Sequence, residues 1–367
     1  MVAEKILLDI LKTEVGIGQS IVNVDLSDML QVVQLAKDHT MMGVVAEAVC
    51  SGKVTVADNS AAELNDDLKL QKAQMAAGMI QADAMHRRKY KLFSDVTGEF
   101  ERLMRASGLR YVVFKGMAVA RHFPAPHVRT MGDVDFYVPS PDFRRAVEAI
   151  ESAWKVEIEK KNIDKHYSFD YRDIHFEMHY QVETFGRGSH QRYFNRLVDA
   201  CVAEDNHVLP PMADLIVVFK HWFNHLLVEG VGLRQTLDLA VLLRAYKDEI
   251  DAGELQRHLK AIGYWRAFKA MVAMEERYLG VTCAARYCVL GARDYLYADR
   301  LMAVVMESGN FGRRAYANRA PGLGKSIETA WWALGHCARF FWLAPTDIAS
   351  LVPKRIGITM VAHRARG

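Results

Sequence analysis

Arg110-Tyr-Val-Val-Phe-Lys115-Gly116 and, after a short gap, Arg129-Thr-Met-Gly-Asp133-Val-Asp135-Phe-Tyr-Val138 read as two short apolar strands, each joined to polar chemistry at one end. The first runs into Lys115-Gly116; the second carries two carboxylates two residues apart, Asp133 and Asp135. Side chains at i and i+2 of a strand point to the same face, so both carboxylates can converge on one cation. Between the strands, Gly116 to Arg121 reads as a short helix. His122-Phe-Pro-Ala-Pro-His127 reads as a loop, because two prolines exclude a regular helix.

Downstream, Pro139-Ser-Pro141 ends the strand, and Asp142 to Ala153 returns as a helix with Phe143, Val147 and Ile150 on one face. Trp154 to Lys160 alternates apolar and charged residues, the pattern of a half-exposed strand. The clearest alternation follows. Tyr167, Phe169 and Tyr171 alternate with Ser168, Asp170 and Arg172; a tight turn falls near Arg172-Asp173. Ile174, Phe176, Met178 and Tyr180 then alternate with His175, Glu177, His179 and Gln181.

The flanks are helical in period. Ile6, Leu7, Ile10 and Leu11 form an apolar stripe, Met29 to Val49 a second periodic run, and Ala62 to Ser107 a long helix with a break expected near Gly78 or Gly98. Ser51-Gly52 and Asp58-Asn-Ser60 are loop signals. Beyond Arg192, helices are expected over Met212–Leu227, Leu233–Tyr246, Asp251–Ile262, Trp265–Leu279, Cys283–Ser308 and Ile327–Leu343, with a basic tail after Pro353. The expected fold is α+β: a small mixed β-sheet core (106–195) flanked by an N-terminal helical lobe (1–105) and a C-terminal helical lobe (196–367).

Composition narrows the function classes. A chain of 367 residues with 51% hydrophobic and 25% charged residues has ample material for a sizeable core. A net charge of +3 does not by itself imply nucleic acid or an acidic membrane. The five cysteines are scattered without a CxxC pair, which indicates neither a zinc ribbon nor a disulfide framework; reduced, mostly buried thiols suit the cytosol. The N-terminus carries charges inside its apolar run, unlike a signal peptide, and no uninterrupted apolar run reaches transmembrane length.

Asp133, Asp135 and Glu177 all fall on strands of the core. A glutamate in a small sheet normally faces solvent, but the polar-face neighbours here are His175, His179 and Gln181, hydrogen-bonding groups typical of a cleft. Clustered carboxylates repel one another unless cations neutralise them, and hard oxygen ligands favour Mg²⁺. Two such ions can clamp the attacking and leaving oxygens of an in-line phosphoryl transfer. Lys115-Gly116 fits the phosphate side, glycine letting backbone N–H groups approach and lysine supplying a point charge. Arg129 can contact a phosphate bidentately.

Val113-Phe-Lys-Gly-Met-Ala-Val-Ala, Arg129-Thr-Met-Gly-Asp-Val-Asp-Phe-Tyr-Val and Phe176-Glu-Met-His179 resemble a bacterial family of uncharacterised nucleotidyltransferases, within the DNA polymerase beta-type superfamily. Lys220-His221, His225 and Leu233-Arg-Gln-Thr-Leu-Asp238 are similar to that family's helical region. The resemblance implies Mg²⁺-dependent transfer of a nucleoside monophosphate from an NTP to an acceptor hydroxyl, a small molecule before tRNA or protein. Asp133 and Asp135 would hold both metal ions; Glu177 would be the third carboxylate and the base; Lys115, Gly116, Arg129 and His179 would line the nucleotide. The superfamily's usual Gly-Gly or Gly-Ser turn is here Lys115-Gly116. An RNA- or protein-directed, toxin-like transferase and a non-catalytic nucleotide-binding module are the alternatives.

Other motifs carry less. His221 and His225 share a helix face, but Trp222 stands where a zinc-protease motif needs glutamate, so packing or capping against the site is expected. Arg234 and Asp238 are expected to form a helix-surface pair or an inter-helix tie. Gly322-Leu-Gly-Lys325-Ser326 resembles the end of a Walker A loop, but Arg319 occupies its first glycine position, so it reads as a loop before an aromatic, core-packing helix.

Overall fold

The computed structural model describes residues 2–18, 21–57, 66–160, 166–202, 207–312 and 323–350. The N-terminal part consists of α1 (Val2–Glu14), β1 (Val22–Asp25), α2 (Leu26–Asp38), α3 (Met42–Cys50), β2 (Val54–Ala57) and α4 (Asp66–Ala106). The core holds β3 (Val112–Phe114), α5 (Gly116–Ala120), β4 (Asp133–Tyr137), α6 (Ser140–Trp154), β5 (His166–Tyr171) and β6 (Ile174–His179). There follow α7 (Gly188–Cys201), α8 (Pro211–Val228), α9 (Leu233–Ala245) and α10 (Ala252–Ala261). The last are α11 (Trp265–Leu279), α12 (Ala292–Ser308) and α13 (Leu323–Phe340). The α+β expectation holds.

The core sheet has four strands in the order β3-β4-β6-β5. β3 is antiparallel to β4, β4 parallel to β6, and β5 antiparallel to β6. The β5–β6 hairpin turns through Arg172 and Asp173, both with positive φ (49° and 62°), the pair of left-handed residues whose twist matches a two-residue hairpin. One face of the sheet presents Val113, Val134, Phe136, Phe169, Phe176 and Met178, all buried. Against it lie α4 and α6. Phe100 of α4 sits 4.4 Å from the Phe136 ring and 5.8 Å from Phe176, so α4 is anchored by aromatic packing.

The other face turns toward the helices. Val112, Phe114 and Tyr137 join a second apolar cluster shared by α1, α2, α3, α8, α9, α11 and α12. The polar side chains of β4 and β6 on this face therefore lie between the sheet and the helices. Position along the strand sorts each residue to one face or the other.

Several local expectations change. Helix α4 runs 41 residues, about 60 Å, straight through Gly78 and Gly98. Each glycine costs a helix about 1 kcal/mol, and the packing of Met75, Met79, Phe93 and Val96 offsets it. The 29–49 run is split at Thr40, which has φ 60°. β1 and β2 pair in parallel from Val22↔Val54 to Asp25↔Ala57, four residues each, too short to show in a periodicity window. Trp154 closes α6, and the stretch after it makes only a bridge between Glu159 and Ser168. The 283–308 stretch is a short 3₁₀ turn (Ala284–Arg286) and then α12.

α13 begins at Leu323, so the Gly-Lys-Ser run lies in its first turn; Gly322 and the basic tail fall outside the described residues. Its aromatic residues divide. Phe340 is buried, whereas Trp331 is 71% exposed. No disulfide joins the five cysteines: Cys288 and Cys337 are buried, Cys201 and Cys283 half-buried and Cys50 exposed. Among the described residues no helix is long and apolar enough to cross a membrane.

Candidate active site

Parallel pairing of β4 with β6 places Asp133 opposite His175, Asp135 opposite Glu177 and Tyr137 opposite His179. Paired residues share a face, so two strands bring Asp133, Asp135, Glu177 and His179 together on the cleft side. β5 adds His166, paired with His179. β3 ends at Phe114, opposite Asp135, and delivers Lys115 to the same place.

Lys115 is an unusual residue there. It precedes α5 with φ 55° and ψ −128°, a conformation that favours glycine, and its side chain turns inward to place Nζ 2.8 Å from Asp135 Oδ1. Gly116 permits a close approach: a Cβ there would lie 3.2 Å from the Asp133 carbonyl oxygen, tighter than ordinary contact. The Lys-Gly turn therefore keeps the backbone of a glycine-rich turn while inserting a cation.

Charge in the cleft is set by competition between burial and neighbours. Burial works against the Lys115 ammonium, but Asp135, Glu183 and Glu177 outweigh it and raise its pKa. Burial likewise raises Asp135, yet Lys115 and His179 hold it well below the usual carboxylate range. For Glu177 burial is outweighed by the hydrogen bond from His179, and its pKa is lowered. Asp133 goes the other way: burial, then the adjacent Asp135 charge, raise it. Its carboxylate makes no hydrogen bond among the described residues, whereas Asp135 Oδ1 accepts from Lys115 and lies 2.9 Å from His179 Nε2. An acidic group with open oxygens beside a second carboxylate is a donor set that fits a hard divalent cation.

His179 is fully buried; its Nε2 lies 2.9 Å from Asp135 Oδ1 and 3.3 Å from Glu177 Oε2. Arg129 is buried and gives both arms of its guanidinium to Asp238 of α9, at 2.8 Å each. Asp238 is thus neither on the helix surface nor an inter-helix tie: it is buried and joins α9 to the chain entering β4. Arg234, one turn earlier on α9, donates to the Thr130 carbonyl at 3.3 Å and acts electrostatically on Asp133.

Three further residues, His166, Lys89 and Glu183, bear on the cleft without having been singled out by the sequence motifs. His166 was legible in principle, because it extends the polar face of the β5 alternation. Lys89 of α4 acts on Asp133 from a distant helix. Glu183, two residues past Gln181, receives His221 Nδ1 at 3.0 Å and the Asn224 amide at 2.9 Å. Burial, then Lys115, push the His221 pKa well down, so its neutral ring donates Nδ1–H to Glu183. His225 packs edge-on to His221, ring centroids 4.3 Å apart.

A family model described as "Uncharacterised nucleotidyltransferase" matches residues 25–280. The chain belongs to that family. The match runs from the start of α2 to just past α11, so it includes the whole core sheet, the Lys115 turn and the helices that carry His221 and Asp238. No curated protein and no solved structure matches the chain. Membership in this nucleotidyltransferase family agrees with the motifs on β4 and β6.

Proposed function

We propose that this nucleotidyltransferase family member uses Mg²⁺ to move a nucleoside monophosphate from an NTP to an acceptor hydroxyl, with release of pyrophosphate. The observation that carries the reading is the register of β4 against β6, which sets Glu177 directly opposite Asp135 with Asp133 on the same face. In this reading Asp133, Asp135 and Glu177 hold two ions. When bound, the ions neutralise the triphosphate and polarise the reacting phosphorus.

The protein's own residues do the rest. Glu177, ionised at neutral pH, takes the acceptor proton as the new oxygen–phosphorus bond forms; the bond to the β-phosphate breaks, and pyrophosphate leaves with the electron pair. Lys115 swings from Asp135 to a phosphate oxygen, and Gly116 leaves its backbone accessible to the triphosphate. Lys89 and Arg234 add positive charge on the Asp133 side. Arg129 serves the nucleotide through its hold on the entry to β4, and His179 orients Asp135 and Glu177. The helical lobes (1–105 and 196–367) shape a small-molecule acceptor pocket around the core (106–195).

Asp135→Asn tests the reading. NTP consumption in the presence of Mg²⁺ should fall by about 10³-fold or more, the scale of losing an electrostatic anchor of the transition state. Unchanged turnover would sink it. Calorimetry with ATP, GTP, CTP and UTP plus Mg²⁺ is the companion measurement, and an absence of binding at millimolar nucleotide would count equally against it.

A further inference from the structure

Beside the acidic pair stands a donor set of a different kind. His166 Nδ1, Glu177 Oε2 and His179 Nε2 lie within 4.8 Å of one another. Glu177 Oε2 is 3.5 Å from His166 Nδ1 and 3.3 Å from His179 Nε2. These separations are long for charge-assisted hydrogen bonds. They match the edge of a tetrahedron around an ion with about 2.0–2.1 Å bonds to nitrogen and oxygen, which is about 3.3–3.4 Å.

Both ring nitrogens of His179 make polar contacts. His179 Nδ1 faces the Gln181 carbonyl oxygen at 3.4 Å, an outer contact of the kind that orients a metal-binding imidazole. Without an ion, His179 Nε2–H donates to Asp135 Oδ1 at 2.9 Å, the hydrogen bond that a bound cation would replace. That single proton faces two carboxylates, Asp135 at 2.9 Å and Glu177 at 3.3 Å. Lys115 serves Asp135, but among the described residues no lysine or arginine pairs with Glu177. The other histidine–carboxylate cluster, Glu47, Asp83 and His127, differs on this point: Arg87 already pairs with both of its carboxylates.

We propose that His166, Glu177 and His179 form a nitrogen–oxygen site for a borderline divalent transition ion of the Zn²⁺ type, with an open fourth position toward Asp135. Two imidazoles select such ions over Mg²⁺, and three protein ligands with an open position are the pattern of a reactive rather than a structural site. Glu177 and His166 are partly exposed, which leaves the ion a route in. The inference deepens the proposed reading, since it makes the cleft asymmetric: all-oxygen at Asp133 and Asp135, mixed at Glu177. The site can nevertheless be tested without nucleotide.

The full chain, stripped of metal, is titrated with Co²⁺ and followed by its visible absorption. One equivalent should bind with the intense bands of low coordination, Zn²⁺ should displace it stoichiometrically, and a thousand-fold excess of Mg²⁺ should not. His166→Phe, and independently Glu177→Gln, should weaken Co²⁺ binding by about 100-fold or more, with circular dichroism checking the fold of each. Asp133→Asn should bind Co²⁺ as the wild type does. Absence of the bands, displacement by Mg²⁺, or wild-type affinity in both folded variants would overturn the site. Co²⁺ binding without any nucleotide turnover leaves this site standing and removes the transferase reading; turnover without Co²⁺ binding does the reverse.

Discussion

Lys115 Nζ and Asp135 Oδ1 are 2.8 Å apart in a pair buried on both sides. The ammonium sits beside the acidic pair, from a backbone position whose φ of 55° favours glycine. Desolvation penalises each charge, and mutual attraction more than offsets it for both. The lysine thus acts as a resident counter-ion, which in the proposed reaction a bound nucleotide and its metal would relieve.

Lys115→Met should expose that dependence. Removing one partner of a buried pair typically costs about 3–5 kcal/mol, because the remaining charge is uncompensated. The folded-state pKa of Asp135 is depressed in the wild type, so its stabilisation is present above the unfolded value of about 3.9 and is lost only as pH falls further. In the variant, burial acts on Asp135 without the lysine. The deficit should be greatest near neutral pH, shrink on acidification and be partly restored by Mg²⁺. Urea denaturation at pH 7 and 4.5 measures it; a deficit independent of pH and metal contradicts the account.

Asp133→Asn should do the opposite. Its folded-state pKa is raised, so folding gains from it below the unfolded value and loses that gain as pH rises through the folded one. At neutral pH the metal-free wild type carries this repulsion. The variant should melt a degree or two higher, on the scale relating small free energies to Tm in a chain of this size, yet lose nucleotide turnover. A lower Tm would show that Asp133 is stabilised by contacts rather than strained by charge.

The Arg129–Asp238 pair joins the entry of β4 to α9 through two bonds in a fork geometry that lysine cannot copy. Asp238→Asn and Arg129→Lys should each destabilise, the first by about 3 kcal/mol. Arg129→Met combined with Asp238→Leu should recover part of that loss, while nucleotide binding stays impaired because the approach to β4 is no longer fixed. Additive losses in the double variant would rule out direct coupling.

Asp173 has φ 62° in the hairpin turn. A non-glycine residue pays roughly 1–2 kcal/mol in that region. Asp173→Gly should stabilise by about 1 kcal/mol, less the added freedom of the unfolded chain. Arg172 is the poorer choice, since its guanidinium holds Glu99 at 2.6 Å. Chemical denaturation distinguishes a gain from no effect, and a loss would mean that Asp173 caps the turn.

The local reading held where a pattern repeats within one element. Alternation over 167–179 gives the hairpin, its turn and the face carrying His175, Glu177 and His179, because a strand has a strict two-residue period. Asp133 and Asp135 are fixed on one face for the same reason. β1 and β2 escaped because four residues show too little of any period, and of the strand expected after Trp154 the described residues keep one antiparallel bridge, Glu159 with Ser168 of β5.

By itself, the sequence determined the α+β class, the acidic pair and the Lys-Gly turn. Only the tertiary structure decided that Glu177 stands opposite Asp135, that Lys115 neutralises Asp135, that Asp238 claims Arg129 and that His166 joins Glu177 and His179. Those relations depend on strand order, on the parallel register of β4 with β6 and on the packing of α9. Each brings together residues between 11 and 109 positions apart in the chain, for which no local propensity exists.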